Sequence, residues 1–162
     1  MATKTTNPFN ITDALIAAYA ANNRINVYLV RNLPEEAWRA KPPEGKGRDI
    51  ASIVAHIHNV RLMWLKAIGI TNLPPKLERT RVTREQAIQA LEASWQAIEG
   101  TLRTSLNGDG RIKGFKPDAA GFLAYLVAHD AHHRGQIAML ARQVGHPIPQ
   151  SAMFGMWEWG TR

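Results

Sequence analysis

The sequence contains no cysteine, and this absence excludes several kinds of chemistry. Without a thiol of its own, the protein has no disulfide bond, no cysteine-ligated zinc or iron–sulfur site and no cysteine nucleophile. Long apolar runs are also missing, because no segment approaches the roughly 20 apolar residues of a transmembrane helix. The N-terminal residues lack the compact apolar run of a signal peptide. We therefore predict a cytoplasmic protein without a membrane partner.

Runs of like charge are absent as well, although 20 Lys and Arg residues against 13 Asp and Glu residues give a net charge of +7. A positive charge permits attraction to nucleic acid or acidic ligands. No predicted helix collects Lys and Arg on one face, and no zinc-finger spacing occurs, so we do not expect a nucleic-acid partner. The basic residues form small groups at expected loops or helix starts: Lys41, Lys46 and Arg48; Arg79, Arg81 and Arg84; and Arg111, Lys113 and Lys116.

The 162 residues have the length of one domain, and we predict a single domain over residues 1–162. Apolar residues recur at helical spacing in four long segments, which predict helices over residues 11–33, 50–68, 84–106 and 119–144. Because no convincing strand pattern accompanies them, the predicted fold class is all-α, a four-helix bundle with long connections between helices.

Two segments outside these helices leave alternatives open. Residues 107–117, NGDGRIKGFKP, are compatible with either a small hairpin or an irregular loop. The tail, residues 148–162, contains Trp157 and Trp159 and is too apolar to remain free in solvent. We expect this C-terminal apolar tail to pack either on the domain or on a partner subunit.

Three of the six histidines fall in the segment 129-HDAHHRGQI-137 of the fourth predicted helix. At about 100° per residue, His129 and His133 lie one turn apart on the apolar stripe, whereas His132 lies at its edge. Buried imidazoles need partners for their nitrogen atoms. The pair is therefore compatible either with hydrogen-bonded core histidines or with ligands to one metal ion, because i and i+4 side chains meet at the same point.

A third ligand has to come from another part of the chain. His56 and His58 flank the apolar stripe of the second predicted helix on opposite sides, and periodicity alone does not separate them. A carboxylate is the alternative, from Asp118 or Asp130, although the helical pattern predicts that Asp130 points away from the stripe.

The segments 52-SIVAHIHNVRLMWL-65 and 126-LVAHDAHHRGQIAMLARQVGHPIP-149 together resemble the DinB-like superfamily of metal-binding four-helix bundles. That superfamily places one metal-ligating histidine on the second helix, with an aromatic residue eight positions later, and two on the fourth helix in H-x-x-x-H-R-G-Q. The resemblance implies that His56, followed by Trp64, and the pair His129 and His133 are the metal ligands. His58 and His132 have no fixed place in the pattern.

Three imidazoles imply an open site, because a structural zinc site usually has four protein ligands. Zinc and nickel both suit imidazole ligands. Side chains that orient the rings are expected around the ligands. The candidates for this role are His132, Gln136, Asn59 and Asp130.

The superfamily includes bacillithiol transferases and mycothiol-dependent maleylpyruvate isomerases. The resemblance therefore favours a metal-dependent enzyme, either a low-molecular-weight-thiol S-transferase or a hydrolase-like enzyme, with a small-molecule substrate and a thiol as a further cofactor. It also implies a homodimer. The alternatives are a non-catalytic metal-binding stress-response protein, with DNA association as the weaker variant, and a metal-free bundle of hydrogen-bonded core histidines.

Overall fold

The computed structural model describes residues 8–162, and four long helices dominate this part of the chain. The predicted all-α bundle is confirmed, since α1 and α2 each pack against both α3 and α4. A short hairpin precedes α4, and a short fifth helix follows it. In chain order the elements are α1 (Ile11–Asn32), α2 (Ile50–Ile68), α3 (Arg84–Leu106), β1 (Arg111–Ile112), β2 (Phe115–Asp118), α4 (Ala119–Gln143) and α5 (Gln150–Gly155).

Side-chain caps fix the beginnings of the four long helices. The Asp49 carboxylate accepts a hydrogen bond from the Ser52 N–H at 2.8 Å, and Thr83 and Gln86 form a reciprocal capping box. The α1 helix ends at Asn32, one residue before the predicted end, because Leu33 adopts the extended conformation favoured before proline. The α4 helix also ends one residue early, at Gln143.

The buried interior has two apolar clusters separated by a layer of polar side chains. One cluster includes Val54 and Ile137, and the other includes Leu65 and Phe122. Between them every long helix contributes at least one buried polar residue. We call this set the polar layer; its members are Asn22, Asn23, Asn26, Arg61, Ser94 and Asp130.

The two undecided segments now have definite structures. Strands β1 and β2 pair antiparallel, so residues 107–117 form the hairpin rather than an irregular loop. The tail packs on its own bundle, where the Arg162 guanidinium lies 4.1 Å from the centroid of the Tyr28 ring on α1. Trp157 nevertheless remains 80% exposed. None of the helices within residues 8–162 has the length and apolar character needed to cross a membrane.

Candidate metal centre

The structure brings together the three histidines that the sequence pattern selected. His56 lies on α2 and faces His129 and His133 on α4, and one nitrogen atom from each ring lies within 4.8 Å of the other two. The ring centroids of His56 and His133 are 4.8 Å apart. His58 lies elsewhere: its ring is fully buried, and its Nε2 atom lies 3.0 Å from the Pro75 carbonyl oxygen. The structure thus separates the two α2 histidines that periodicity left equivalent.

The hydrogen bonds of His133 determine which of its nitrogen atoms faces the centre. Its Nδ1 atom lies 2.7 Å from Oε1 of Gln136, an amide oxygen that can only accept, so Nδ1 carries the proton. The Nε2 atom is therefore a lone-pair donor, and it lies 3.1 Å from Nε2 of His129. The Gln136 amide nitrogen in turn lies 3.0 Å from Nε2 of His132. Gln136 thus links the exposed His132 ring to His133.

The surroundings keep two of the three rings neutral. Burial is the main cause that lowers the pKa of His56 to about 4, and the positive charge of Arg48 adds to this effect. Burial also lowers the pKa of His133 and outweighs the opposite effect of the Gln136 hydrogen bond. Neutral imidazole is the form that binds metal ions, so these rings are in the ligand form at neutral pH.

Asp130 lies inside the bundle, which corrects the prediction that it points away from the stripe. The residue is fully buried, and its Oδ2 atom accepts hydrogen bonds from Asn22 Nδ2 at 2.7 Å, Asn26 Nδ2 at 2.8 Å and an Arg61 guanidinium nitrogen at 2.8 Å. Burial alone raises the pKa of Asp130, but the Arg61 charge and the hydrogen bonds hold this pKa well below its usual range. Its other oxygen, Oδ1, faces Nδ1 of His129 at 3.7 Å.

Arg61 is the residue that the sequence reasoning missed. Its side chain is 1% exposed, and besides Asp130 it donates to Asn23 Oδ1 at 2.7 Å, the Leu91 carbonyl oxygen at 3.1 Å and Ser94 Oγ at 3.3 Å. A signal was available, because position 61 is four residues after Ile57 and therefore falls on the apolar stripe of α2. A charged residue on such a stripe needs a buried partner.

Two other sequence candidates have hydrogen bonds away from the histidines. The Asn59 amide pairs with the Leu77 backbone, donating to its carbonyl oxygen at 3.0 Å and accepting from its N–H at 3.0 Å. The Asp118 carboxylate caps α4 by accepting from the Gly121 N–H at 2.8 Å. Asn59 therefore anchors the loop after α2, and Asp118 supports the start of α4.

A basic groove adjoins the centre, because its lining includes Gln136, the hydrogen-bond partner of His133. The groove has a volume of about 860 Å³, and its lining includes Lys46, Arg48 and Gln136. Pockets for small molecules commonly have volumes of this order, about 300 to 1,000 Å³. Arg79 extends the positive charge, since its guanidinium lies 3.4 Å from Nδ1 of His56. The groove is thus suited to a small molecule that carries an anionic group.

Aromatic side chains pack against the His129 ring of the centre. The Tyr125 ring stacks on His129 with a centroid separation of 6.2 Å, and Trp64 contacts Tyr125 edge to face at 5.6 Å. Phe115 of the hairpin and Phe122 complete this cluster. The centre thus has an aromatic cluster against its His129 ring and an arginine beside His56.

Comparisons with known proteins agree with this architecture. A model of the DinB family matches residues 1–160. The chain is similar to the 1.70 Å crystal structure of a protein assigned to the DinB family from Exiguobacterium sibiricum 255-15, with 23% identity and a TM-score of 0.59. This similarity covers 89% of the chain and 98% of the other protein, and at this identity it supports the fold alone. The comparison with curated proteins gives no match. Because the family model spans nearly the whole length, the chain belongs to the DinB family.

Proposed function

We propose that the protein binds one divalent cation, zinc or nickel, through His56, His129 and His133, and that it is a metal-dependent enzyme acting on a low-molecular-weight thiol. One observation carries the metal site: the ligand atoms of three histidines converge within 4.8 Å. The two Nε2 atoms on α4 are 3.1 Å apart. Two ligands of one tetrahedral zinc ion, each about 2.0–2.1 Å from the metal, are separated by about 3.3 Å.

The small number of protein ligands favours catalysis over a structural role. Three histidines leave a coordination position for a small molecule, whereas structural zinc sites are usually closed by four protein ligands. When bound, such a cation supplies Lewis-acid chemistry and lowers the pKa of a thiol or a water molecule. The thiol is the preferred substrate because the histidine pattern resembles that of a superfamily with bacillithiol- and mycothiol-dependent members.

The residues of the chain contribute binding and orientation. Arg48 and Arg79 place positive charge beside the histidines, where they attract and hold an anionic group of the small molecule. Gln136 accepts a hydrogen bond from the Nδ1–H group of His133 and keeps the Nε2 atom of that ring directed to the centre. The Tyr125 ring stacks on His129 and restricts the orientation of this ligand ring.

Metal binding is tested by measuring the zinc and nickel content and affinity of the purified protein. His56→Ala, His129→Ala and His133→Ala should each abolish high-affinity binding of one equivalent of metal. His58→Ala is the matched control on α2, and His132→Ala is the control on α4; both should retain the metal. Loss of metal in His58→Ala together with retention in His56→Ala would show that the ligand on α2 has been assigned incorrectly.

The enzymatic step is tested separately with metal-loaded protein, a panel of cysteine-derived low-molecular-weight thiols and an electrophilic acceptor. We expect consumption of the thiol and formation of the thioether, with chelator-treated protein and His129→Ala inactive. If the metal-loaded protein neither binds nor transfers any of these thiols, the enzyme proposal is wrong. The chain would then be a non-catalytic metal-binding protein.

A further inference from the structure

The carboxylate of Asp130 is satisfied on one side only. Its Oδ2 atom accepts three hydrogen bonds, whereas Oδ1 is buried and has no hydrogen-bond partner among residues 8–162. A buried charged oxygen without a donor is costly, so such an atom calls for an explanation. The Nδ1 atom of His129 lies 3.7 Å from Oδ1, and an approach of about 0.8 Å would produce a normal hydrogen bond.

We propose that Asp130 is a positioning residue for His129: its Oδ1 atom accepts a hydrogen bond from the Nδ1–H group of the ring and thereby directs Nε2 toward His56 and His133. This inference rests on the proposed metal centre and adds the group that orients one of its ligands. Metal-ligating histidines commonly donate their second N–H to a carboxylate or another oxygen, which fixes the tautomer and the ring orientation.

The position of the carboxylate is fixed by the polar layer rather than by α4 alone. Asn22 and Asn26 on α1 and Arg61 on α2 all donate to Oδ2, so the group cannot rotate without breaking these hydrogen bonds. The Oδ1 atom is consequently held on the side of His129. Because Arg61 and His56 both belong to α2, the same network connects the helices that carry the two parts of the metal centre.

Two arrangements of the ring protons are compatible with the close approach of the two α4 rings. His133 already donates an Nδ1–H hydrogen bond to Gln136. If His129 donates an Nδ1–H hydrogen bond to Asp130, both Nε2 atoms carry lone pairs and face each other at 3.1 Å. Two lone pairs at this distance repel each other unless a cation lies between them. The alternative is a hydrogen bond between the rings, for which His129 would carry its proton on Nε2.

The ring tautomer is measured directly by long-range 1H–15N NMR of the histidine rings in chelator-treated wild-type protein. We expect His129 to be protonated on Nδ1 and unprotonated on Nε2. In Asp130→Asn, the amide oxygen should turn toward the three donors, and its NH2 group should face His129. The ring should then switch its proton to Nε2, and the zinc affinity should fall by about 10- to 100-fold.

The matched control is Asn59→Ala, which removes two hydrogen bonds to the Leu77 backbone but none to Asp130 or its partners. It should leave the His129 tautomer and the zinc affinity unchanged, even if it lowers the stability. Protonation of His129 on Nε2 in the wild-type protein would overturn the inference, whether or not Asp130→Asn folds. Unchanged zinc affinity in a folded Asp130→Asn variant would also overturn it. If the wild-type protein bound no metal, the proposed function would fail, while the tautomer would still decide the role of Asp130.

Discussion

At the scale of single residues, Arg61 and Asp130 form the most deeply buried ion pair among the described residues, with side chains 1% and 0% exposed. Removing one partner of a buried pair leaves an uncompensated charge in the interior. We expect Arg61→Met, which keeps much of the side-chain volume, to lower the free energy of unfolding by about 3–5 kcal/mol. Urea unfolding followed by circular dichroism measures this loss.

The control for this prediction is Arg103→Met. Arg103 also pairs with carboxylates, Asp13 at 2.9 Å and Glu99 at 3.1 Å, but its side chain is 44% exposed. Solvent screens such pairs, so the control should lose far less stability than Arg61→Met. Equal losses of unfolding free energy in the two variants would show that burial does not make the Arg61 pair more important for stability than the exposed Arg103 pairs.

The basic groove gives a second prediction for individual side chains. If Arg48 and Arg79 hold an anionic group of the substrate, Arg48→Ala and Arg79→Ala should each raise KM by about tenfold, the order expected for a lost charge-assisted hydrogen bond. Their bound metal should remain at the wild-type stoichiometry. Arg81→Ala is the control, because Arg81 lines a different groove and is 83% exposed. An unchanged KM in both groove variants would contradict the role of these arginines.

The residues of the site differ in how far the sequence reveals them. The positions of His129 and His133 follow from helical periodicity, because both lie on the apolar stripe of α4. His56 needed the family resemblance, since periodicity placed it and His58 symmetrically. Asp130 was misplaced because the stripe was defined by apolar residues, while this carboxylate is buried against polar groups of α1 and α2. Such contacts between helices have no local signature in the sequence.

At the scale of secondary structure, the boundaries of the four long helices agree with the sequence to within one residue. Capping side chains, glycine and proline are local signals, and they act on the backbone within a few positions. Local sequence signals did not determine the structures of the hairpin and the tail, because these segments are positioned by packing against other elements. Phe115 of β2 is held by Trp64 and Phe122, which belong to other elements. Nothing in residues 107–117 alone specifies these contacts.

The packing of α5 on α1 leads to a prediction at Gly155. A Cβ atom added there would overlap the Tyr28 phenol group and lie 3.0 Å from the Arg162 guanidinium. We therefore expect Gly155→Ala to displace the tail and to lower the free energy of unfolding by about 1–3 kcal/mol, the usual cost of overpacking. Hydrogen exchange should show faster exchange in residues 150–162 and little change in α2.

For Gly100→Ala, the same change of residue type at another position, we expect the opposite effect on stability. Gly100 lies inside α3, and a Cβ atom there meets nothing within 4 Å. Alanine should therefore stabilise the protein by about 1 kcal/mol, through its higher helix propensity. If both variants changed the free energy of unfolding in the same direction, the contact with Tyr28 would not explain the effect of Gly155→Ala.

At the scale of the whole molecule, the polar layer and the candidate metal centre form one continuous region across the middle of the bundle. The layer contacts His129 through Asp130, and Gln136 connects His133 to the basic groove. The two apolar clusters on either side contribute most of the buried apolar area and hold the helices at fixed positions. The site is thus built on long helices rather than on loops, which favours a precise ligand geometry. The homodimer remains a prediction, and sedimentation velocity tests it.

This arrangement predicts that metal binding stabilises the entire fold. Since the ligands come from α2 and α4, a cation that binds only the folded state adds RT ln(1 + [metal]/Kd), about 2.7 kcal/mol at a concentration of 100 Kd. For a chain of this size the corresponding rise in Tm is about 5–10 °C. Calorimetric scans of chelator-treated protein, with and without added zinc or nickel, measure this shift. His129→Ala should lose the shift and His132→Ala should keep it. Of these two residues, only His129 belongs to the group of three histidines that offer ligand atoms. An equal shift in both variants would mean that the stabilising ion binds elsewhere on the molecule.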